Sequence, residues 1–154
     1  MSLKQWANKP TKTAQELINA AMHSPIVRES VRPLIEDQLD DHLDGKGNKL
    51  GYNSKKRGFV TEYSEATEKI TGGRKKAGDS FDLNDSGRFR ESIEAEPINT
   101  GSLFIDADTK KEDTELLEKF GEDIIELNKK NKGILARKKV LPELRKEAKR
   151  ELLR

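Results

Sequence analysis

The sequence contains no cysteine and only two histidines, His23 and His42. Without cysteine the chain has no disulfide bond, no thiolate zinc site and no thiol nucleophile, and we expect it to reside in the reducing cytoplasm of a cell. Two isolated histidines also make a metal site or a serine-type triad hard to build. We therefore predict no enzyme, with no catalytic residues, no cofactor and no metal ligands.

Long apolar segments and aromatic residues are scarce as well. Apolar stretches such as residues 101–107 are far shorter than the roughly 20 residues of a membrane-spanning helix. Residues 1–10 lack the apolar centre of a signal peptide. Aromatic residues make up only 5% of the chain, which leaves little material for stacking on bases. We predict no membrane contact, and expect any nucleic-acid contact to be directed at the phosphate backbone.

The residues that are present fit one folded domain over residues 1–154. Leu, Ile, Val and Phe supply about 23% of the chain, slightly above the roughly 20% below which a highly charged sequence usually stays disordered. Charged residues make up 38%, yet 30 basic and 28 acidic side chains leave a net charge of only +2. This composition predicts a soluble domain with a small core and a surface coated with charge.

The two signs of charge are separated along the chain. Residues 129–154 hold eleven Lys and Arg against three Glu, a net +8, whereas residues 106–126 hold nine acids against three lysines, a net −6. Such a chain can meet copies of itself, acidic face to basic face, or touch nucleic acid through its basic face alone. Both alternatives stay open from the sequence.

Two helix starts stand near the N-terminus. Thr13 and Glu16 have the spacing of a capping box and predict a short helix to about Met22. Ser24 followed by a proline predicts a second helix that runs to Asp44 and is ended by the glycines that follow, Gly45 and Gly47. Pro33 interrupts this helix and predicts either a kink near Arg32 or a later start. The apolar residues of this helix recur at intervals of three and four, as expected for a buried face: Val27, Val31, Leu34, Ile35, Leu39 and Leu43.

Residues 48–78 are mostly polar and basic, and we predict a long surface loop with a turn or two of helix near residues 61–69. Loops of this length in a compact domain are usually functional or disordered. The loop supplies six candidate partner-binding residues: Lys55, Lys56, Arg57, Arg74, Lys75 and Lys76.

The C-terminal half predicts a small sheet and a basic helix. After a short helix at residues 86–92, the alternating residues 93–96 and 103–107 predict an antiparallel hairpin with its turn at residues 99–101. A helix over residues 112–120 follows. Residues 129–154 then predict a basic amphipathic helix, which carries two further candidate partner-binding residues, Lys138 and Lys139. The predicted fold class is thus α+β: N-terminal helices, a long loop, a small antiparallel sheet and a C-terminal amphipathic helix.

Two short patterns resemble ligand-binding loops, and each lacks a necessary residue. Residues 40–45 match the first half of a calcium-binding EF-hand loop, but the twelfth position is Gly51 where the bidentate glutamate should stand. Residues 73–78 have the glycine spacing of a phosphate-binding P-loop, but Asp79 replaces the lysine that reaches phosphate. We predict a solvated helix end and an ordinary loop.

Five short motifs occur in one order: residues 44–53, Thr67, residues 81–92, residues 106–110 and residues 117–127. Together they resemble the virion-morphogenesis, tail-completion (neck) proteins of tailed phages and prophages, over roughly residues 35–127. Ser86 stands where threonine is commoner, and Phe120 where tyrosine is commoner. The residues that carry the resemblance as structural motifs are Leu83, Asp85, Ser86, Gly87, Phe89, Ser92, Phe120 and Gly121.

The resemblance implies a structural protein of the head–tail junction. It implies self-association, with a ring on the virion, and contacts with portal-side or tail-tube proteins through the basic loop and the C-terminal helix, with non-specific DNA contact as a further expectation. It places the protein in the virion, and in the bacterial host cytoplasm during assembly. The alternative prediction is a small nucleic-acid-binding accessory protein that uses the same basic loop and helix.

Overall fold

The computed structural model describes residues 12–111 and 114–153, which form an α+β fold. Helices from both ends of the chain pack together, and three separate two-stranded antiparallel sheets occupy the middle of the sequence. The predicted fold class is confirmed.

Three helices open the described chain: α1 (Ala14–Met22), α2 (Pro25–Glu29) and α3 (Val31–Asp40). The predicted capping box is confirmed, since the N–H of Glu16 donates to Thr13 Oγ1 at 3.2 Å and the N–H of Thr13 donates to Glu16 Oε2 at 2.6 Å. The predicted buried face is also present, because four of its residues have no exposed surface: Val27, Val31, Ile35 and Leu39.

The prediction that the second helix runs to Asp44 was wrong. The helix breaks at Ser30 and ends at Asp40, after which His42 takes a left-handed φ of +59°. Gly45 is needed for a close approach instead of a helix end. Its N–H donates to the carbonyl of Asp123 at 2.8 Å, and a Cβ on it would lie 2.6 Å from Cβ of Glu126.

The segment predicted as one long loop contains regular structure. Strands β1 (Tyr52–Ser54) and β2 (Gly58–Val60) form a hairpin, and helix α4 (Glu65–Ile70) follows near the predicted helical turn. The strands have only three residues each, and the hairpin is anchored on one side by Tyr52, whose ring lies 5.7 Å from that of Phe81 and 5.9 Å from that of Phe120.

The main hairpin was predicted correctly. After the short helix α5 (Arg88–Glu91), strands β3 (Glu94–Ile98) and β4 (Ser102–Asp106) pair with Ala95 opposite Ile105. Strands β5 (Lys110–Lys111) and β6 (Thr114–Glu115), helix α6 (Leu116–Phe120) and a 3₁₀ helix (Glu122–Ile125) follow. The predicted start of the helix over residues 112–120 lies outside the described residues, and α6 itself begins later, at Leu116.

The C-terminal helix consists of α7 (Lys129–Leu135), a π-helical segment (Ala136–Val140) and α8 (Leu141–Leu152). Pro142 stands in the first turn of α8, where its missing N–H costs no hydrogen bond. Helix α8 packs against α1, so the two ends of the described chain are joined. The last predicted residue of this helix, Arg154, lies outside the described residues.

One core connects these elements. The apolar face of α2 and α3 packs against residues from many of the later elements, and Phe89 and Ile93 are both buried in this core. A polar contact also joins α7 to α3, since Asn131 Nδ2 donates to the carbonyl of Leu34 at 2.6 Å. The remaining core residues from the later elements are Leu50, Phe81, Ala95, Ile124, Leu127 and Leu135.

Candidate interaction surfaces

The tip of the β1–β2 hairpin carries three of the predicted contact residues, Lys55, Lys56 and Arg57. All three are exposed, and none forms an ion pair with the rest of the described chain. The turn closes with Gly58 at a φ of +70°, where an L side chain would be strained. The hairpin therefore presents three adjacent cations to solvent.

Phe59 adds an apolar side chain to this hairpin. Its ring is 62% exposed and lies over Gly51, where a Cβ would come within 2.8 Å of Cζ of the ring. The backbone at Gly51 and the rings of Tyr52 and Phe120 line a shallow cleft beside Phe59. Lys119 also lines the cleft, and its Nζ lies 4.4 Å from the centre of the Tyr52 ring. The hairpin thus combines positive charge with an exposed aromatic ring.

The second predicted basic cluster consists of Arg74, Lys75 and Lys76, and these three residues differ in their contacts. Arg74 Nη1 lies 3.5 Å from Asp85 Oδ1, and Lys76 is exposed. Lys75 is held inside: its Nζ donates to both Asp82 oxygens, at 2.7 and 2.9 Å, and to the carbonyl of Asn84 at 2.7 Å. Lys75 is therefore a structural cross-link, and within this cluster Lys76 is the cation most open to a partner.

Asp82 is the centre of that cross-link. Burial by itself would raise the pKa of its carboxyl, but hydrogen bonds from Lys75, from the N–H of Asn84 and from Tyr63 outweigh burial and hold the pKa below its ordinary value. Burial, followed by the hydrogen bond to Asp82, raises the pKa of the Tyr63 hydroxyl. The carboxylate thus stays charged and fixes the base of the loop between α4 and α5.

The residues that carried the family resemblance occupy structural positions. Gly87 takes a φ of +81° at the start of α5, and Ser86 Oγ accepts from the N–H of Arg88, the first residue of that helix, at 3.4 Å. Asp85 pairs with Arg74 and Lys111. The remaining motif residues are Leu83 with a φ of +51°, Phe89 in the core, Ser92, Phe120 in the aromatic cluster and Gly121 at the end of α6.

Ser92 shows how tightly this motif is built into the fold. Its Oγ donates to the carbonyl of Phe89 at 2.7 Å and accepts from the N–H of Asp108, also at 2.7 Å. The hydroxyl therefore joins the end of α5 to the segment after β4, and it is occupied by structural partners.

The C-terminal helix presents a basic and apolar face. Lys138 is exposed and Lys139 half-buried in the π-helical segment. Further along, four residues of α8 lie at spacings of four, four and three, which places them on one side of the helix. All four are exposed, and we call them the basic helix face: Leu141, Arg145, Lys149 and Leu152.

An acidic counterpart lies on the β3–β4 hairpin, and the sequence prediction missed it as a surface. The outward side chains of both strands are exposed, including Phe104 at 56% and Ile98 at 45%. The alternation of residues 93–96 indicated which side of the strand is wet, but could not show that no other element covers it. We call this surface the acidic hairpin face: Glu94, Glu96, Ile98, Phe104 and Asp106.

Among the described residues, no helix combines the length and the apolar composition that a membrane-spanning segment requires. Over residues 12–111 and 114–153, no group of three or more His, Asp or Glu side chains is arranged to hold a metal ion.

No protein-family model, curated protein or solved structure matches the chain, so the resemblance to tail-completion proteins stays a prediction.

Proposed function

We propose that the chain is a non-enzymatic structural subunit of the phage or prophage head–tail junction, acting by self-assembly and by contacts with portal-side or tail-tube proteins. The observation that carries the proposal is the placement of large, exposed apolar side chains on charged surface elements. Phe59, Phe104 and Leu152 are 62%, 56% and 72% exposed, each beside unpaired charges. Exposed apolar groups surrounded by charge are typical of surfaces that bind other proteins.

The family resemblance supplies the location. Its motif residues are built into the fold at turns, in the core and at a helix end, as expected for a structural scaffold rather than for a reactive centre. Such a scaffold would hold the two hairpins and the C-terminal helix outward as contact elements, which suits a subunit placed between larger assemblies.

Deletion of the gene tests this proposal. In a lysogen that carries the intact phage, we expect deletion to leave filled heads and complete tails that do not join, visible by negative-stain electron microscopy, and expression from a plasmid to restore joined particles. Normal particle yield and infectivity in the deletion strain would contradict the proposal.

Nucleic-acid binding is a second candidate function, and the β1–β2 hairpin favours it. Lys55, Lys56 and Arg57 form an unpaired cationic tip beside the exposed ring of Phe59, so the hairpin offers phosphate contacts and one stacking surface. This function predicts affinity for duplex or single-stranded DNA that falls steeply with salt.

A double substitution separates this candidate from general charge effects. Lys55→Glu with Lys56→Glu should abolish DNA binding in a fluorescence-anisotropy titration at low salt. The matched control is Lys129→Glu with Lys130→Glu, which changes the same charge at two exposed lysines of α7. Absence of binding by the wild-type chain at low salt would remove this candidate.

A further inference from the structure

The acidic hairpin face combines exposed carboxylates with exposed apolar side chains. In the β3–β4 register Glu94 lies opposite Asp106, and Glu96 lies opposite Phe104. None of its three carboxylates forms an ion pair within the described part of the chain. The face therefore consists of unneutralised negative charge around two exposed apolar side chains, Ile98 and Phe104.

The basic helix face has the same pattern with the opposite sign. Arg145 and Lys149 have no ion-pair partner among the described residues, whereas their neighbours Lys146 and Arg150 pair with glutamates of the same helix. Leu141 and Leu152 stand at the two ends of the face and are 39% and 72% exposed. The free cations of α8 are thus concentrated on the side that also carries the exposed leucines.

The two faces also agree in length. Strand β3 extends about 14 Å from Glu94 to Ile98 at the usual rise of a strand. Helix α8 extends about 16 Å from Leu141 to Leu152 at 1.5 Å per residue. A helix laid along the hairpin with Leu141 over Ile98 brings Arg145 about 6 Å further along, to the level of Glu96 and Phe104. Lys149 then lies about 12 Å along, near Glu94 and Asp106, and Leu152 extends just past the end of the strands.

We propose that the acidic hairpin face of one copy of this chain binds the basic helix face of a second copy. The inference rests on the self-assembly in the proposed function and names the surfaces that carry it. Because the two faces differ, the contact is heterologous, and a bound pair keeps one free hairpin face and one free helix face to continue the assembly. Such head-to-tail contacts close into a ring or extend as a filament, according to the rotation between copies.

Charge-reversal variants test the pairing directly. The hairpin variant carries Glu94→Lys and Glu96→Lys, and the helix variant carries Arg145→Glu and Lys149→Glu. Alone, each variant sets like charges against each other across the contact, so we expect sedimentation velocity to show association weakened by about tenfold or more relative to the wild type. An equimolar mixture should associate again, because each variant then offers the other a face of opposite charge.

The fourfold variant that combines all these substitutions should associate on its own, since both faces are reversed together. Lys129→Glu with Lys130→Glu is the control for the charge change, and it should associate as the wild type does. All substituted positions are exposed, and circular dichroism verifies that each variant stays folded.

Three results would overturn the pairing: a wild-type chain that stays monomeric at high concentration and low salt, a mixture of the two variants that stays monomeric, or a hairpin variant that associates like the wild type. A helix variant that loses DNA binding while the wild type stays monomeric would assign the basic helix face to nucleic acid. The deletion experiment tests the head–tail function separately. If the deletion strain leaves heads and tails unjoined but the mixture of the two variants stays monomeric, only the pairing is contradicted.

Discussion

Gln38 and Asn128 meet in the interior, where the N–H of Asn128 donates to Oε1 of Gln38 at 2.8 Å. The Gln38 side chain also donates, through its Nε2, to the carbonyl of Glu126 at 2.9 Å. Gln38 is 1% exposed, so water cannot replace either partner. Through this one amide, α3 holds the backbone at the point where the C-terminal helix begins.

Replacement of Gln38 should therefore be costly. We expect Gln38→Ala to lower the free energy of unfolding by about 2–4 kcal/mol, because it leaves buried backbone groups unpaired and opens a cavity. Urea unfolding followed by circular dichroism measures the change. The control Gln15→Ala removes an exposed glutamine, whose amide donates to Asn19, and should change stability by less than about 0.5 kcal/mol. Equal losses in the two variants would contradict this role.

Two arginines of α5 provide a second contrast. Arg90 is 7% exposed and donates to Asp40 Oδ1 at 2.6 Å and to the carbonyl of Asp82 at 2.5 Å. Arg88 is exposed and pairs with Asp108 at the surface. We expect Arg90→Ala to cost about 2–4 kcal/mol and Arg88→Ala less than about 1 kcal/mol in the same unfolding assay. The reverse order would show that the interior contacts of Arg90 are unimportant.

The Asp82 cross-link predicts a pH dependence. Because the pKa of Asp82 is lower in the folded than in the unfolded chain, its stabilising effect is complete above the unfolded pKa of about 4 and is lost as the pH falls through the folded value. Asp82→Asn should therefore be less stable than the wild type at pH 7, with the difference shrinking below about pH 4. Urea unfolding of the two proteins at neutral pH and below about pH 4 measures the difference, and a difference that stays constant would contradict this role of Asp82.

Two glycines should respond to alanine with opposite signs. Gly45→Ala should destabilise the fold, because its Cβ would press on Cβ of Glu126 and on two carbonyl oxygens. Gly133 lies inside α7, where a Cβ would meet only the flexible end of Arg137, so Gly133→Ala should raise the free energy of unfolding by about 0.5–1 kcal/mol. Thermal unfolding of both variants checks the prediction, and stabilisation by Gly45→Ala would contradict it.

Local signals in the sequence predicted the elements whose causes are local. The capping box at Thr13, the apolar face of α2 and α3, and the alternation in the β3–β4 hairpin each lie within a few residues, and the structure confirms them. The end of α3 could not be found in this way. The glycines after it suggested a helix end, whereas Gly45 is required by the packing of the 3₁₀ helix, about 80 residues later in the chain.

The candidate surfaces also include features that local sequence signals could not predict. Three-residue strands such as β1 and β2 are too short to show an alternating pattern, so the hairpin that carries Lys55, Lys56 and Arg57 looked like an open loop. The ion pair that fixes Lys75 depends on how the chain returns to Asp82. The acidic hairpin face depends on the absence of a covering element within the described fold, and only the tertiary structure supplies that information.

The most direct test of the central claim is the position of this chain in the particle. Cryo-electron microscopy of particles purified from an induced producing strain should show repeated copies between the head and the tail, joined by contacts between β3–β4 and α8 of neighbouring copies. Complete, infectious particles with no copy of the chain at that junction would contradict the account.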